Sequence, residues 1–474
     1  MLPDRTCGTG GKGQAVHVLT WFYGLSLASG LIPVAAFGLG AVALAYLLVR
    51  RSRRWWLFCL LSAVASGALA LLAGWAVIHV WYWWPEDLPA TVIACVGFGI
   101  WGLVLGLTTA FLGLGGLLRR GAAQGRQRHG VRPRAGRTSV PRAMLAVAAA
   151  VVVLAVSALQ VNVYFGEYPT VGSLIHGDPA LARGIPHFLQ KKAADRYRLL
   201  PAKDGWVEPR KMSAGEFRQV DIPGKVSGFR ARPGVVYLPP AYFTPHPPVL
   251  PVVVLVTGQP GSPENWLVSG HLGQIMESYA QAHHGLAPVV VMPDANGSQE
   301  ANTMCMNSAL GRVDTYMAVD VPHWITNTLN VDTNHEHWAV AGFSYGGTCA
   351  MQMVTRHPNV YRTFAAISAE LEPALTANRA VTVQRAFHGN TAAFDAVVPM
   401  TLLERRSYPT IHGWFATGAQ DAVYTRYAQE LATAAHKAGM TVERTTFPGG
   451  HSWVMVTEAL PSAVSYLGAR LGLQ

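Results

Sequence analysis

Four long uncharged runs fill the first third of the chain. No Asp, Glu, Lys or Arg occurs from Val16 to Val49, a stretch divided by Pro33. Three further runs follow at Trp55–Val80, Ala90–Leu118 and Ala143–Val163, the last of nearly pure Ala, Val and Leu. About 20 apolar residues suffice for a helix to cross a bilayer. The pattern therefore predicts an all-α membrane domain over residues 1–163, with four transmembrane helices at about 31–49, 55–80, 90–118 and 143–163. The runs are apolar on all faces, which argues against amphipathic helices lying on a membrane surface. A cleaved signal peptide is the rival for the first run. Its weak basic region and lack of a small-residue cleavage site argue against that.

The pattern changes further along. Residues 164–225 show no strong periodicity and are read as a linker or extension with some helix over Leu181–Leu199. From about Val226 short apolar runs alternate with helical ones. Strands are predicted at Gly234–Leu238, Leu250–Val256, Ala287–Met292, His337–Ala341, Thr363–Ser368, Thr410–Gly418 and Thr441–Phe447. Helices are predicted at Gly273–His283, Val313–Leu329, from the residues after Ser344 to Arg356, and at Tyr424–Ala438. Near-continuous apolar strands alternating with helices predict a mostly parallel sheet with helices on both faces over 226–474. Functional residues then belong at the carboxyl ends of the strands.

Composition and charge sharpen this division. Half of the 474 residues are hydrophobic, 13% are charged and the mean hydropathy is +0.23, which suits a chain with membrane spans. The formal charge of +11 is not a nucleic-acid footprint. Residues 1–163 hold 14 Lys and Arg against 3 Asp and Glu, and the remainder is balanced at 23 of each. The excess flanks the apolar runs, at 50–54 and at 119–142, where eight arginines stand without an acid. By the positive-inside rule those two loops face the cytoplasm. The aromatic, acidic loop at 81–89 then faces outwards, as do the N-terminus and everything after Val163. The five cysteines show no metal-ligand spacing. In an extracytoplasmic domain Cys305 and Cys349 can form a disulfide; two buried thiols are the alternative.

The candidate chemistry centres on Gly342-Phe343-Ser344-Tyr345-Gly346. A serine between two glycines, after a strand and before a helix, is the nucleophile elbow of the α/β-hydrolases. Gly342 and Gly346 remove side chains where strand and helix pass close together. The helix N-terminus aims its positive end at the site, and the Tyr345 N–H is one candidate oxyanion donor. A serine hydroxyl needs a base, and in this fold the order is Ser, acid, His. Asp421 follows the strand ending Ala416-Thr417-Gly418, and His451 follows Phe447-Pro448-Gly449-Gly450. His451 is expected to take the Ser344 proton, and Asp421 to hold its tautomer. Asp421 also suits a helix N-cap, and Glu370, Glu372 and Asp395 are rivals for the acid. The Gln259 backbone, in the loop after Leu250–Val256, is the candidate second oxyanion donor. Trp266 and Trp453 are candidates for a substrate pocket, with ordinary packing as the alternative.

The elements GFSYGG, TGQPGSPENW, GAQD and PGGHSW resemble, in order and rough spacing, the esterase-D-like branch of the α/β-hydrolases, which includes mycolyltransferase-like acyltransferases and carbohydrate or feruloyl esterases. The resemblance covers about residues 226–470. It implies an acyl-enzyme at Ser344, His451 as base and oxyanion donors at Tyr345 and Gln259. Two departures stand out. Mycolyltransferase-like members look secreted and lack four spans, and their acid is typically Glu. The expectation is a membrane-anchored serine esterase acting on a lipid or cell-envelope ester, such as an acyl- or aminoacyl-lipid. An acyltransferase with an envelope acceptor and a non-catalytic membrane interaction protein are the alternatives. The expected partners are that ester and the lipid bilayer, with no nucleic acid. The chemistry requires no metal or organic cofactor.

Overall fold

The computed structural model describes residues 21–49, 52–81, 86–124, 140–176, 181–187, 189–190, 206–209 and 212–473. Most of the basic loop at 119–142, the arginines 50 and 51, residues 82–85 of the aromatic loop at 81–89 and residues 188 and 191–199 of the expected helix fall outside them. The chain divides into two compact units, 1–175 and 176–474.

The first unit is helical. Its long helices are α1 (Leu31–Leu48), α2 (Arg53–His79), α3 (Ala90–Gln124) and α4 (Val140–Phe165). All four are long and apolar enough to cross a membrane. The packing is inverted relative to a soluble bundle. Small residues fill the interior: Gly40 and Ala43 of α1, Ser62, Ser66 and Gly74 of α2, Ala146 and Ala150 of α4. Large apolar side chains such as Leu57, Leu60, Leu71 and Phe111 face outwards. Where lipid is the solvent, outward leucines cost nothing and close backbone packing drives association. The α3–α4 contact is the tightest case. A Cβ on Gly106 would lie 2.4 Å from the Ala150 Cβ and 2.9 Å from the Ala146 carbonyl oxygen. Gly106→Leu is therefore expected to part α3 from α4 and lower the unfolding midpoint of the purified protein in detergent. Gly38→Leu is the control, because a Cβ on Gly38 meets nothing within 4 Å. Equal midpoints for the two variants would contradict this packing.

The second unit is built on one nine-stranded sheet. Its strands are β1 (Ala182–Arg183), β2 (Glu216–Val220), β3 (Gly234–Leu238), β4 (Val252–Val256), β5 (Val289–Met292), β8 (Trp338–Phe343), β9 (Thr363–Ile367), β10 (His412–Gly418) and β11 (Thr441–Phe447), with β6 (Asn307–Ser308) and β7 (Gly311–Arg312) forming a separate hairpin. The spatial order is β1-β2-β3-β5-β4-β8-β9-β10-β11. The β2–β3 and β3–β5 pairs are antiparallel and all other neighbours in this sheet run parallel. Alternate residues supply the two cores. Val252, Val254 and Val256 of β4 face the elbow helix and its neighbours, while Val253 and Leu255 face helices Leu272–Ala282 and Trp453–Arg470. Connections leave β4 in one direction and β8 in the other, so the crevice at their carboxyl ends is the topological switch point, where ligands bind in open α/β sheets.

The linker reading of 164–225 needs correction. β2 lies inside it and pairs with β3, and the Phe217 and Tyr237 rings meet at 4.8 Å. The sheet therefore begins well before residue 226. Its Glu-Phe-Arg-Gln-Val sequence has the mixed polarity of a strand near a sheet edge, and only its partner makes it a strand. At the start of the expected Leu181–Leu199 helix, Ala182–Arg183 form β1 instead. The Val313–Leu329 helix is present over Val313–Thr328, with a π-helical turn at Tyr316–Asp320. Helices Arg379–Phe387, Thr391–Asp395 and Pro399–Arg405, between β9 and β10, and the C-terminal Trp453–Arg470 were not anticipated.

Candidate active site

Ser344 is the residue between β8 and the helix Tyr345–Arg356. Its φ of 56° and ψ of −119° hold it in a conformation that a residue with a Cβ rarely adopts. The surroundings enforce it. The Ser344 N–H donates to the Ile367 carbonyl at 2.9 Å, and the Ser344 carbonyl accepts from the Thr348 amide at 2.9 Å and its hydroxyl at 3.1 Å. A Cβ on Gly346 would sit 2.0 Å from the Val256 carbonyl oxygen, and one on Gly342 would sit 2.3 Å from the Gly346 carbonyl. Strand and helix thus touch backbone to backbone, and the serine projects from the turn.

Two later strand ends bring the other polar groups. His451 Nε2 lies 2.9 Å from Ser344 Oγ, and its Nδ1 lies 3.3 Å from Asp421 Oδ2. The second Asp421 oxygen accepts the Tyr424 amide at 3.1 Å, capping helix Ala422–Lys437. The Asp421 side chain is 8% exposed. The imidazole is held by aromatic neighbours, Tyr424 at 4.2 Å and Phe343 at 4.9 Å between ring centroids. Neither was given a role from the sequence, although Phe343 precedes Ser344 and Tyr424 lies three residues after Asp421. Among the rival acids, Glu372 and Asp395 both pair with Arg379. The Glu370 amide donates to Thr348 Oγ1.

Tyr345 occupies the first helical position, where a backbone N–H has no intrahelical acceptor. Its side chain is buried away from the site. The phenol contacts Thr303 Oγ1 at 2.8 Å, donates to the Ala295 carbonyl at 3.0 Å and accepts the Cys305 amide at 3.1 Å, and burial pushes its pKa well up. Cys305 is bonded to Cys349 of the elbow helix, with their Cα atoms 5.3 Å apart. Gln352 of the same helix donates to the Met304 carbonyl at 2.9 Å. These links fasten the segment Thr303–Met306 to the elbow helix. The loop after β4 also adjoins Ser344. A Cβ on Gly258 would be 3.7 Å from the Ser344 Cβ, and Gln259 is the next residue along that loop.

The pocket reading of Trp266 and Trp453 is not what the structure shows. Trp266 is fully buried and Trp453 is 6% exposed, and they meet edge to face at 5.1 Å within the core. Trp453 also packs on Phe343 at 5.3 Å, so it supports the site from beneath. As starts of helices laid against the sheet, these indoles are drawn inwards by their apolar area. Among the described residues no group of three or more His, Cys, Asp or Glu is placed to hold a metal.

This serine–histidine–carboxylate arrangement coincides with a match over residues 230–467, just over half of the chain, to the family Esterase, described as "Putative esterase". The chain belongs to this esterase family. It is a serine hydrolase of the α/β-hydrolase fold, preceded in the same chain by four long apolar helices. A Corynebacterium glutamicum protein described as uncharacterized is 32% identical over 455 residues, covering 94% of this chain and 96% of its own. Both the helical unit and the esterase unit therefore recur together in that relative. Among solved structures, a ferulic acid esterase aligns at 18% identity with a TM-score of 0.47, covering 54% of this chain and 98% of its own. The S-formylglutathione hydrolase of Agrobacterium tumefaciens aligns at 15% identity with a TM-score of 0.45, covering 56% and 100%.

Proposed function

We propose that this esterase is anchored in the membrane by α1–α4 and cleaves a carboxylic ester of a lipid or cell-envelope component. The observation that carries the chemistry is the hydrogen-bonded relay from Ser344 Oγ to His451 Nε2 at 2.9 Å and from His451 Nδ1 to Asp421 at 3.3 Å. Ser344 Oγ attacks the ester carbonyl while His451 Nε2 takes its proton. The Tyr345 and Gln259 backbone N–H groups hold the developing oxyanion, and Asp421 stabilises the imidazolium. His451 then protonates the departing alkoxide, leaving an acyl-enzyme. Water, deprotonated by His451, releases the acid and restores the serine.

The membrane part of the reading is supported by the four apolar helices and by the arginine-rich flanks at 50–54 and 119–142, which under the positive-inside rule favour a cytoplasmic side for those loops and an outer side for the esterase unit. Anchoring keeps the catalytic unit at high effective concentration over the bilayer. Esters of the lipid itself, including acyl- and aminoacyl-lipids, are thus its expected substrates.

The test is labelling of the detergent-solubilised full chain with a fluorophosphonate probe. Wild type is expected to label and Ser344→Ala to lose the label altogether. A folded wild type that does not label would sink the reading. Product analysis on ester lipids, with and without an added alcohol, then separates release to water from transfer to an acceptor.

A further inference from the structure

Asn296 lies on the loop after β5 and is 2% exposed. Its side-chain Nδ2 donates to the Gly258 carbonyl at 3.2 Å. Its Oδ1 is buried with no hydrogen-bond partner among the described residues. Burying an amide oxygen without a partner carries its full desolvation cost, so a residue that spends only one end of a buried amide calls for a reason. The Asn296 backbone is itself gripped. Asp294, fully buried, accepts the amides of Asn296 at 3.2 Å and Gly297 at 3.0 Å. The same carboxylate binds the Arg232 guanidinium at 2.9 and 3.1 Å, and Arg232 Nη2 donates to the Gly261 carbonyl at 2.7 Å. The loop after β4 is therefore held at two carbonyls, Gly258 by Asn296 and Gly261 by Arg232.

The first of these grips acts on a particular peptide group. The Gly258–Gln259 bond is trans, and in a planar trans peptide the C=O and N–H point in opposite directions. Fixing the Gly258 oxygen therefore fixes the Gln259 N–H. We propose that Asn296 is a positioning residue for catalysis: by binding the Gly258 carbonyl it turns the Gln259 N–H towards the oxyanion formed at Ser344. The bond to the carbonyl also polarises the same amide, which strengthens its N–H as a donor. This rests on the serine-esterase reading above. The effect belongs to the transition state, because the N–H is aimed at charge that develops only there.

The experiment uses the full chain in detergent with p-nitrophenyl butyrate as substrate and an alkyl trifluoromethyl ketone as transition-state analogue. Asn296→Ala removes the donor, and Asn296→Asp keeps the side-chain shape should alanine not fold. Either folded variant is expected to lose about 10²-fold in kcat, the lower range for losing one oxyanion donor, with KM nearly unchanged. Affinity for the ketone is expected to fall by the same factor as kcat. A folded variant with wild-type kcat, or a loss confined to KM, overturns the proposal. Failure of both variants to fold also overturns it, making Asn296 a folding residue. Wild type that does not cleave the ester, or Ser344→Ala that still does, refutes the esterase reading and this inference with it. Normal Asn296 variants beside a dead Ser344→Ala refute the inference alone.

Discussion

Replacing His451 with alanine is expected to lower kcat for ester cleavage by about 10⁵-fold or more, as loss of a triad base does elsewhere. Asp421→Asn is the more informative partner and is expected to cost about 10⁴-fold. Asp421 has two jobs, one for each oxygen. One caps helix Ala422–Lys437 through the Tyr424 amide, and the other faces His451 Nδ1. Asparagine keeps the cap, since its carbonyl oxygen can still accept from Tyr424, so stability is expected to hold. Its amide nitrogen then faces Nδ1. Nδ1 must become the acceptor, the ring proton moves to Nε2, and the nitrogen facing Ser344 can no longer take a proton. Thermal unfolding and kcat measured on the same samples check this. An Asp421→Asn enzyme within tenfold of wild type would make Asp421 a cap only.

Gly346→Ala is expected to prevent the esterase unit from folding. The added carbon would lie 2.0 Å from the Val256 carbonyl oxygen, 2.6 Å from its carbon and 2.7 Å from the Thr257 oxygen. All three are backbone atoms, so no side chain can swing aside. Overpacking that side chains can absorb costs about 1–3 kcal/mol. Here β4 and the elbow helix must separate at the centre of the sheet, against a total stability of roughly 5–15 kcal/mol for a domain. Proteolysis of the full chain in detergent reads the outcome: the 176–474 unit of the variant is expected to be degraded where wild type resists. A protease-resistant, cooperatively unfolding Gly346→Ala would show that the strand–helix contact is looser than the backbone positions require.

Much of the molecule was legible along the chain because the signals are local. An apolar run of spanning length says helix wherever its neighbours lie. The elbow is a short-range steric requirement written into five consecutive residues. Ser344, Asp421 and His451 each follow the end of a strand by one to four residues, so the strand pattern and the order Ser, acid, His nominated them, with Glu370, Glu372 and Asp395 left as rivals for the acid. What the tertiary structure decided depends on residues far apart. β2 is a strand only because β3 offers it an edge, and nothing in Glu216–Val220 says so. Cys305 and Cys349, 44 residues apart, were readable as a bridge or as two thiols until the fold brought their Cα atoms to 5.3 Å. Trp266 and Trp453 were open to pocket or core, and burial of their apolar area against the sheet settled it. The hold of Asn296 on Gly258 spans 38 positions and joins two strand ends. Local sterics and hydropathy are properties of a segment. Hydrogen bonds across the sheet and burial are properties of the whole fold.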